Sequence, residues 1–485
     1  MIRKRHHFAA IAAVGAMALA SCSSDSSSAD TTAGTVATTA GSTVSTGASD
    51  TTTGDTTADT SSDTTTGDTT ADTSSDTSTP GTEAAPEAWA VDTSNCSDPA
   101  AAEAPIEGEL TIGSAQPLSG TPAVAFAPVT DGLKLYFDYA NANNLLPGVT
   151  LKADVRDDQY DATQTPGVIS SLIDEGVGIF TGIIGTPNNL AVRDVLNEEC
   201  IPQLLNLSGS PKWGEVADYP WTTGALVPYD IEARIYATSL KGLIGDGGTI
   251  GMFTVNNEFG KTFADAFKKA AASEGLQIIE EQTIEELDSN PPTNQLGAIA
   301  SKAPAAVVAV PLGAQCPTFL KELKNAEAAN PDWKPLVFQT NTCASRLLIS
   351  ALAQGAGDGV YTSGNILDPS DPANADVAGV KVFSDAYTAA GLKGDLGTTA
   401  VGWSIGEDTV KILQAAQASG TLSRVSIINA ARNMTFTPSL ARPGVEYKMN
   451  GETDGFSFQT LQVEQWNEAT SLFTNIGDPD SSSES

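Results

Sequence analysis

The sequence predicts an α/β protein built of two Rossmann-like lobes, each with a parallel central sheet, joined by several strands crossing between them. Three observations predict it. Short apolar runs alternate with segments of helical period almost without a break from residue 108 to about residue 340. The alternation restarts near 225–230, dividing one βα series into two. The folding part, roughly 370 residues, is also more chain than a single hydrophobic core usually organises.

The first series reads strand 110–115, helix 126–143, strand 150–155, helix 166–174, strand 178–184, helix 188–199 and strand 203–207. Apolar residues recur at helical spacing through 126–143, whereas 178–184 (GIFTGII) is the largely apolar run of a strand covered on both faces. The second series opens with a helix at 229–244. It continues with strands at 249–255, 277–282, 305–312 and 335–340, and helices at 259–273, 295–302 and 317–329 between them. Alternating βα units imply parallel sheets with right-handed crossovers. Beyond 340 the pattern changes to a strand at 359–364, helices at 377–390, 399–418 and 425–433, and a hairpin over 447–465 turning at 451–455. Helices that complete the first lobe, followed by strands returning to the second, make three crossings. Lobe 1 is then about 108–228 plus 360–440, and lobe 2 about 229–359 plus 441–470.

The segments outside the lobes are different material. Arg3, Lys4 and Arg5 precede an apolar run of about a dozen residues that is too short to span a membrane. It ends in Leu19-Ala20-Ser21-Cys22, so residues 1–21 read as a lipoprotein signal and Cys22 as the lipidated first residue of the mature chain. Residues 22–105 are rich in Ser, Thr, Asp, Gly and Ala, and 50–62 (DTTTGDTTADTSS) is repeated letter for letter at 63–75. With so few apolar residues such a segment cannot offset its ordering entropy, and it is expected to be a disordered stalk. Its random-coil reach is roughly 50 Å. The spaced aspartates lack the bidentate Glu and turn Gly of a calcium loop. Residues 476–485 read as a disordered tail.

Charge and composition exclude several function classes. The folded part keeps 45 of the 59 acidic residues and 22 of the 25 basic ones, near −23, a field that repels nucleic acid and anionic headgroups. Both histidines, His6 and His7, lie in the signal, so no Ser-His-Asp or Cys-His pair and no imidazole metal site can form in the mature chain. Neither cofactor nor metal is expected. Cys96, Cys200, Cys316 and Cys343 remain, an even number for an oxidising compartment. Three pairings are possible. The layout favours Cys96–Cys200 and Cys316–Cys343, each stapling neighbouring elements. Carboxylates alone could support glycoside hydrolysis. However, Asp157-Asp158, Glu280-Glu281 and Glu285-Glu286 are adjacent pairs that read as strand ends or helix faces.

In open parallel sheets ligands bind beyond the carboxyl ends of the strands. Those ends fall at 116–120 (QPLSG), 157–160, 185–189 (GTPNN) and 208–210 in the first lobe, and at 256–259, 312–315 and 341–342 in the second. Thr186 before Pro187 reads as an N-cap followed by Pro at the first helical position, with the amides of Asn188 and Asn189 offered to an anion. Ser208 and Ser210-Pro211 repeat the arrangement, making a carboxylate pocket the expectation.

Five ordered stretches carry a resemblance across about 108–470. They are IGSAQPLSG at 112–120, VRDDQYDATQ at 155–164, FTGIIGT at 180–186, IPQLLNLSGSP at 201–211 and TVNNEFGKTFADAFKKA at 254–270. Together they resemble the type I periplasmic solute-binding proteins of ABC importers, in the leucine/isoleucine/valine-binding branch. The resemblance implies a ligand carboxylate held by Thr186 and by Leu207, Ser208 and Gly209, with Phe259 packed on the ligand. Leu312 stands where a tyrosine is common, and Asn341 where an acid usually meets the ligand ammonium. A buried ammonium facing only an amide lacks its charge partner. The expected ligand is therefore a carboxylate or amide without a free amino group, unless Asp157, Asp158 or Glu407 supplies the acid. The implied function is non-catalytic: capture of a small polar solute of amino-acid, carboxylate or amide type, and its delivery to an importer permease. The site is outside the cytoplasm, tethered to the membrane through the lipid alone. A lipoprotein that reports its bound state to a signalling partner would use the same fold.

Overall fold

The computed structural model describes residues 88–480. The cleavage site, Cys22 and most of the stalk lie outside the described residues. A short helix α1 (Pro99–Glu103) precedes the first series: β1 (Gly108–Gln116), α2 (Ala123–Ala142), β2 (Val149–Asp157), α3 (Thr165–Asp174), β3 (Phe180–Thr181), α4 (Thr186–Glu198), β4 (Gln203–Asn206) and β5 (Thr222–Gly224). The second series follows as α5 (Tyr229–Ile244), β6 (Thr249–Asn256), α6 (Glu258–Ser273), β7 (Gln277–Glu285), α7 (Thr293–Lys302), β8 (Ala306–Val310), α8 (Gln315–Ala329), β9 (Leu336–Gln339) and β10 (Tyr361–Gly364). Then come α9 (Ala378–Ala389), α10 (Leu396–Ala418), α11 (Arg424–Arg432) and the short strands β11 (Thr435–Phe436), β12 (Tyr447–Lys448), β13 (Gln462–Asn467) and β14 (Leu472–Asn475).

The first sheet runs β2-β1-β3-β4-β5, all parallel. The second runs β7-β6-β8-β9-β10 in parallel and adds β13 and β14 antiparallel at one edge. Each sheet therefore places its first strand between its second and third, and the strand order reverses there. Such a reversal opens a crevice at the strands' carboxyl ends. At the centre of the second sheet β8 (AVVAV) is buried at every residue, as a strand covered by helices on both faces requires.

Three crossings join the lobes. The first is the link from β5 to α5. The second and third run side by side: Ile366 bridges Ala441, Leu367 N–H donates to Leu440 O at 2.8 Å, and Arg442 N–H to Asn365 O at 3.0 Å. The cleft is closed on the far side. A Cβ at Gly313 would stand 3.0 Å from Pro122 Cα, and Ala125 of α2 is buried with Cys316, Cys343 and Leu348 of the other lobe.

Several expectations change. The strand at 178–184 shrinks to β3 because Gly182 adopts φ +63°, which ends the extended run, and Ile184 rejoins only as a single bridge to Leu207. The strand at 359–364, expected in lobe 1, forms β10, which pairs with β9 and β13 and belongs to lobe 2. The 447–465 hairpin does turn, with Asn450 bridged to Asp454, yet its arms part: β12 pairs with β11, and β13 pairs with β10 and β14. The stalk stops short of 105. Trp89 and Val91 N–H groups donate to Asn433 and Asn429, and Asp98 caps α1, so 88–105 are part of the fold. The tail is ordered to Asp480, which exchanges two backbone hydrogen bonds with Leu461. Both disulfides, Cys96–Cys200 and Cys316–Cys343, are formed.

Candidate functional site: the cleft between the lobes

Where β3 leads into α4, Gly185 is the N-cap, not Thr186. Its φ of 104° suits glycine, and a Cβ there would meet Asn188 Oδ1 at 2.4 Å and the Tyr160 ring at 2.8 Å. Thr186 is thus the first helical residue. The Asn189 backbone amide donates to Gly185 O at 3.0 Å, and both side chains brace the scaffold, Asn188 Nδ2 donating to Asp158 Oδ2 at 3.0 Å and Asn189 Nδ2 to the Ile183 and Gly185 carbonyls at 2.8 Å. Ser210 caps only a four-residue 3₁₀ turn, Pro211–Gly214.

The corner expected to hold a carboxylate is filled from within. Thr186 Oγ1 lies 2.7 Å from Ser208 Oγ and 3.3 Å from Tyr229 Oη. The Tyr160 hydroxyl meets the Thr186 backbone amide, and burial drives the Tyr160 phenol well above its ordinary value, so it stays protonated. Tyr229 N–H donates to Gly209 O at 2.6 Å, and its ring covers Gly209, where a Cβ would come within 2.6 Å. Thr186 and Ser208 are 1% and 0% exposed, and neither they nor Gly209 reach the cavity.

In front of that corner lies a cavity of about 210 Å³ between the lobes, extending back along the crossings. Leu207, Phe259, Leu312 and Asn341 all line it, brought together from both lobes. Tyr229 packs on Phe259 with ring centroids 5.1 Å apart. Most of the wall is apolar, from Phe126 and Val129 of α2, Val401 and Ile405 of α10, and Ile366 and Phe458 near the crossings. Both arginines on the wall are paired with acids: Arg346 with Asp368 at 2.9 Å, and Arg442 with Glu464. Arg442 also donates to Ile366 O at 2.9 Å, tying the third crossing to the second.

Asn341 donates its N–H to Glu232 Oε1 at 2.7 Å, while its side-chain Oδ1 is buried without a partner. Burial pushes Glu232 up to about 7, partly opposed by the Asn341 amide. The substitute acids do not reach the ligand space. Asp157 accepts from Leu118 N and Gln159 N at 2.9 Å, Asp158 from Thr165 Oγ1 at 2.9 Å, and Glu407 from Ser439 N at 3.1 Å. Of the acids that line the cavity, Asp368 and Glu464 are paired with arginines, and the one left without a basic partner among the described residues is Asp408, which sequence reasoning missed. Only its place on the α10 face marks it, and that face is readable once α2 and α10 are known to pack together.

A fold of two α/β lobes clasping a cavity over three crossings defines a hinged small-molecule receptor. The family model for the periplasmic binding proteins matches residues 109–471, and the chain belongs to that family. That family is one of binding proteins. A branched chain amino acid ABC transporter protein from Thermus thermophilus with bound valine is 18% identical, with TM-score 0.69 over 77% of this chain and 97% of that one. A fatty acid ABC transporter substrate-binding protein from Thermomonospora curvata is 19% identical, with TM-score 0.67 over 79% and 96%. A solute-binding protein from Rhodopseudomonas palustris in complex with benzoate is 19% identical, with TM-score 0.64 over 76% and 96%. A comparison with curated proteins finds no match. Among the described residues no helix is long and apolar enough to cross a membrane, and no cluster could hold a metal ion.

Proposed function

We propose that this protein captures an apolar-bodied carboxylic acid or amide outside the cytoplasm and delivers it to an ABC importer. It does so from a lipid anchor at Cys22, with the Ser/Thr/Asp-rich segment as tether. The observation that carries the ligand class is the cavity itself: apolar walls, with the expected carboxylate corner already filled by the Tyr160 and Tyr229 hydroxyls. A free amino acid needs two charged groups matched, but among the described residues the two arginines on the wall are both paired with acids and Asn341 stands in place of the ammonium's acid. An apolar body gains instead about 25 cal/mol for each Å² it buries. Anchoring raises the receptor's effective concentration at the permease.

A thermal-shift screen tests this. Decanamide and decanoate are expected to raise the melting temperature, and leucine and valine to leave it unchanged. Stabilisation by leucine without any by the ten-carbon compounds would overturn the ligand class. For the anchor, Cys22→Ala is expected to move the protein from the membrane to the soluble fraction.

A further inference from the structure

One face of α10 walls the cavity. Gly397, Thr398, Val401, Ser404, Ile405 and Asp408 all line it, spaced by three or four residues as one stripe of a helix must be. Eleven residues of α-helix span roughly 16 Å at about 1.5 Å each, so the cavity is long as well as apolar. Thr398 and Val401 are half-buried, whereas Ser404, Ile405 and Asp408 are 7%, 4% and 1% exposed, so the stripe runs from an open mouth to a closed end. At that closed end Ser404 Oγ and Asp408 Oδ1 are buried and have no hydrogen-bond partner. They lie on adjacent turns of the helix stripe that lines the cavity.

Two unmet polar groups at the end of an apolar channel mark a place where a ligand's polar atoms complete the hydrogen bonding, since buried polar groups otherwise find partners. Among the described residues no basic residue pairs with Asp408, and its neighbour Glu407 is a second acid whose charge opposes ionisation. A neutral carboxyl offers one donor and one acceptor, the complement of a carboxamide or carboxylic acid head.

Resting on the apolar-cavity reading, we propose that Ser404 and Asp408 form the head-group subsite for an elongated ligand. There, Asp408 exchanges hydrogen bonds with the ligand's carboxamide or carboxyl group. The apolar tail lies along Ile405 and Val401 toward Thr398.

The test measures affinities of decanamide, decanoate and decylammonium, which share a tail and differ in head group. Asp408→Leu is expected to lose about tenfold or more for decanamide, the cost of a polar group left unpaired, and Ser404→Ala a smaller factor. Asp408→Asn, close to the native shape and still a donor and acceptor, is expected to stay within about threefold. Thermal melts confirm that each variant folds. Preference for decylammonium, abolished by Asp408→Asn, would overturn the proposal in favour of an ionised, cation-binding Asp408. Unchanged decanamide affinity in Asp408→Leu would place the head elsewhere while leaving the apolar cavity standing. Failure of all three probes to bind the native protein would overturn the cavity reading and the subsite with it.

Discussion

Glu407 and Asp408 are adjacent acids on one helix with opposite fates. Glu407 is turned to the backbone and hydroxyl of Ser439 near the third crossing, whereas Asp408 faces the cavity unmet. An orphaned buried polar group costs about 1–3 kcal/mol, so Asp408→Leu is expected to make the ligand-free protein more stable by about that amount in denaturant melts. A less stable variant would mean that the carboxyl is satisfied in solution. Glu232 gives a pH signature. Its native value of about 7 lies above the ordinary 4.5, so the native state holds this proton more tightly than the unfolded chain does. The stabilisation is complete below about pH 4.5, falls as pH rises to about 7 and is then gone, a change of order 3 kcal/mol. Glu232→Gln keeps an acceptor for the Asn341 amide and removes the titration. Its stability relative to the native protein is expected to rise from pH 4.5 to 8; parallel profiles would rule the assignment out.

At the scale of elements, the cavity's lobe 1 wall depends on how closely α2 and α10 approach. A Cβ at Gly402 would stand 1.9 Å from Val129 O, and one at Gly132 2.0 Å from Thr399 O. Gly→Ala in a helix interior ordinarily gains up to about 1 kcal/mol, whereas overpacking costs about 1–3 kcal/mol. Contact with backbone, which cannot move aside as a side chain can, lets the second effect win. Gly402→Ala is expected to lower stability by about 1–2 kcal/mol and to weaken ligand binding by spreading the wall. A melt at or above the native temperature would contradict this. On the other lobe, Cys316–Cys343 closes 27 residues and pins the turn bearing Asn341 to the start of α8. Replacing both cysteines with alanine is expected to cost about 3.5 kcal/mol in the chain-entropy picture.

For the whole molecule, the contact of Pro122 with Gly313 and the paired second and third crossings describe lobes shut over the cavity. A hinged receptor of this kind releases its ligand by opening, and ligand favours the closed form only to the extent that it binds that form better. At a ligand concentration one hundred times Kd, stability is expected to rise by about 2.7 kcal/mol, measured as a shift of the unfolding transition. The same shift separates rim residues from scaffold residues. Phe259→Ala, at the cavity, is expected to reduce the ligand-induced shift, while Thr186→Ala, whose hydroxyl is engaged by Ser208 and Tyr229, lowers the baseline by about 1 kcal/mol and leaves the shift unchanged.

The sequence by itself determined the two βα series and most helices to within a few residues, and it favoured, among three possible pairings, the cysteine pairing that forms. These follow from periodicity and from which elements are neighbours, and both are local or combinatorial properties of the chain. Its strand ends located three residues that meet at one cavity, Phe259, Leu312 and Asn341, because strand ends in parallel sheets converge, and the family resemblance added Leu207. The tertiary structure alone decided that β10 joins lobe 2, since an isolated four-residue strand carries no signal of its partner. It alone showed that two tyrosines distant in sequence fill the corner beside Thr186, and that Asp408 rather than Glu407 meets the ligand space. Such facts depend on which face of a helix packs against which neighbour. A one-residue step turns a side chain by about 100° around the helix, and only the packed neighbours reveal which direction leads to the cavity.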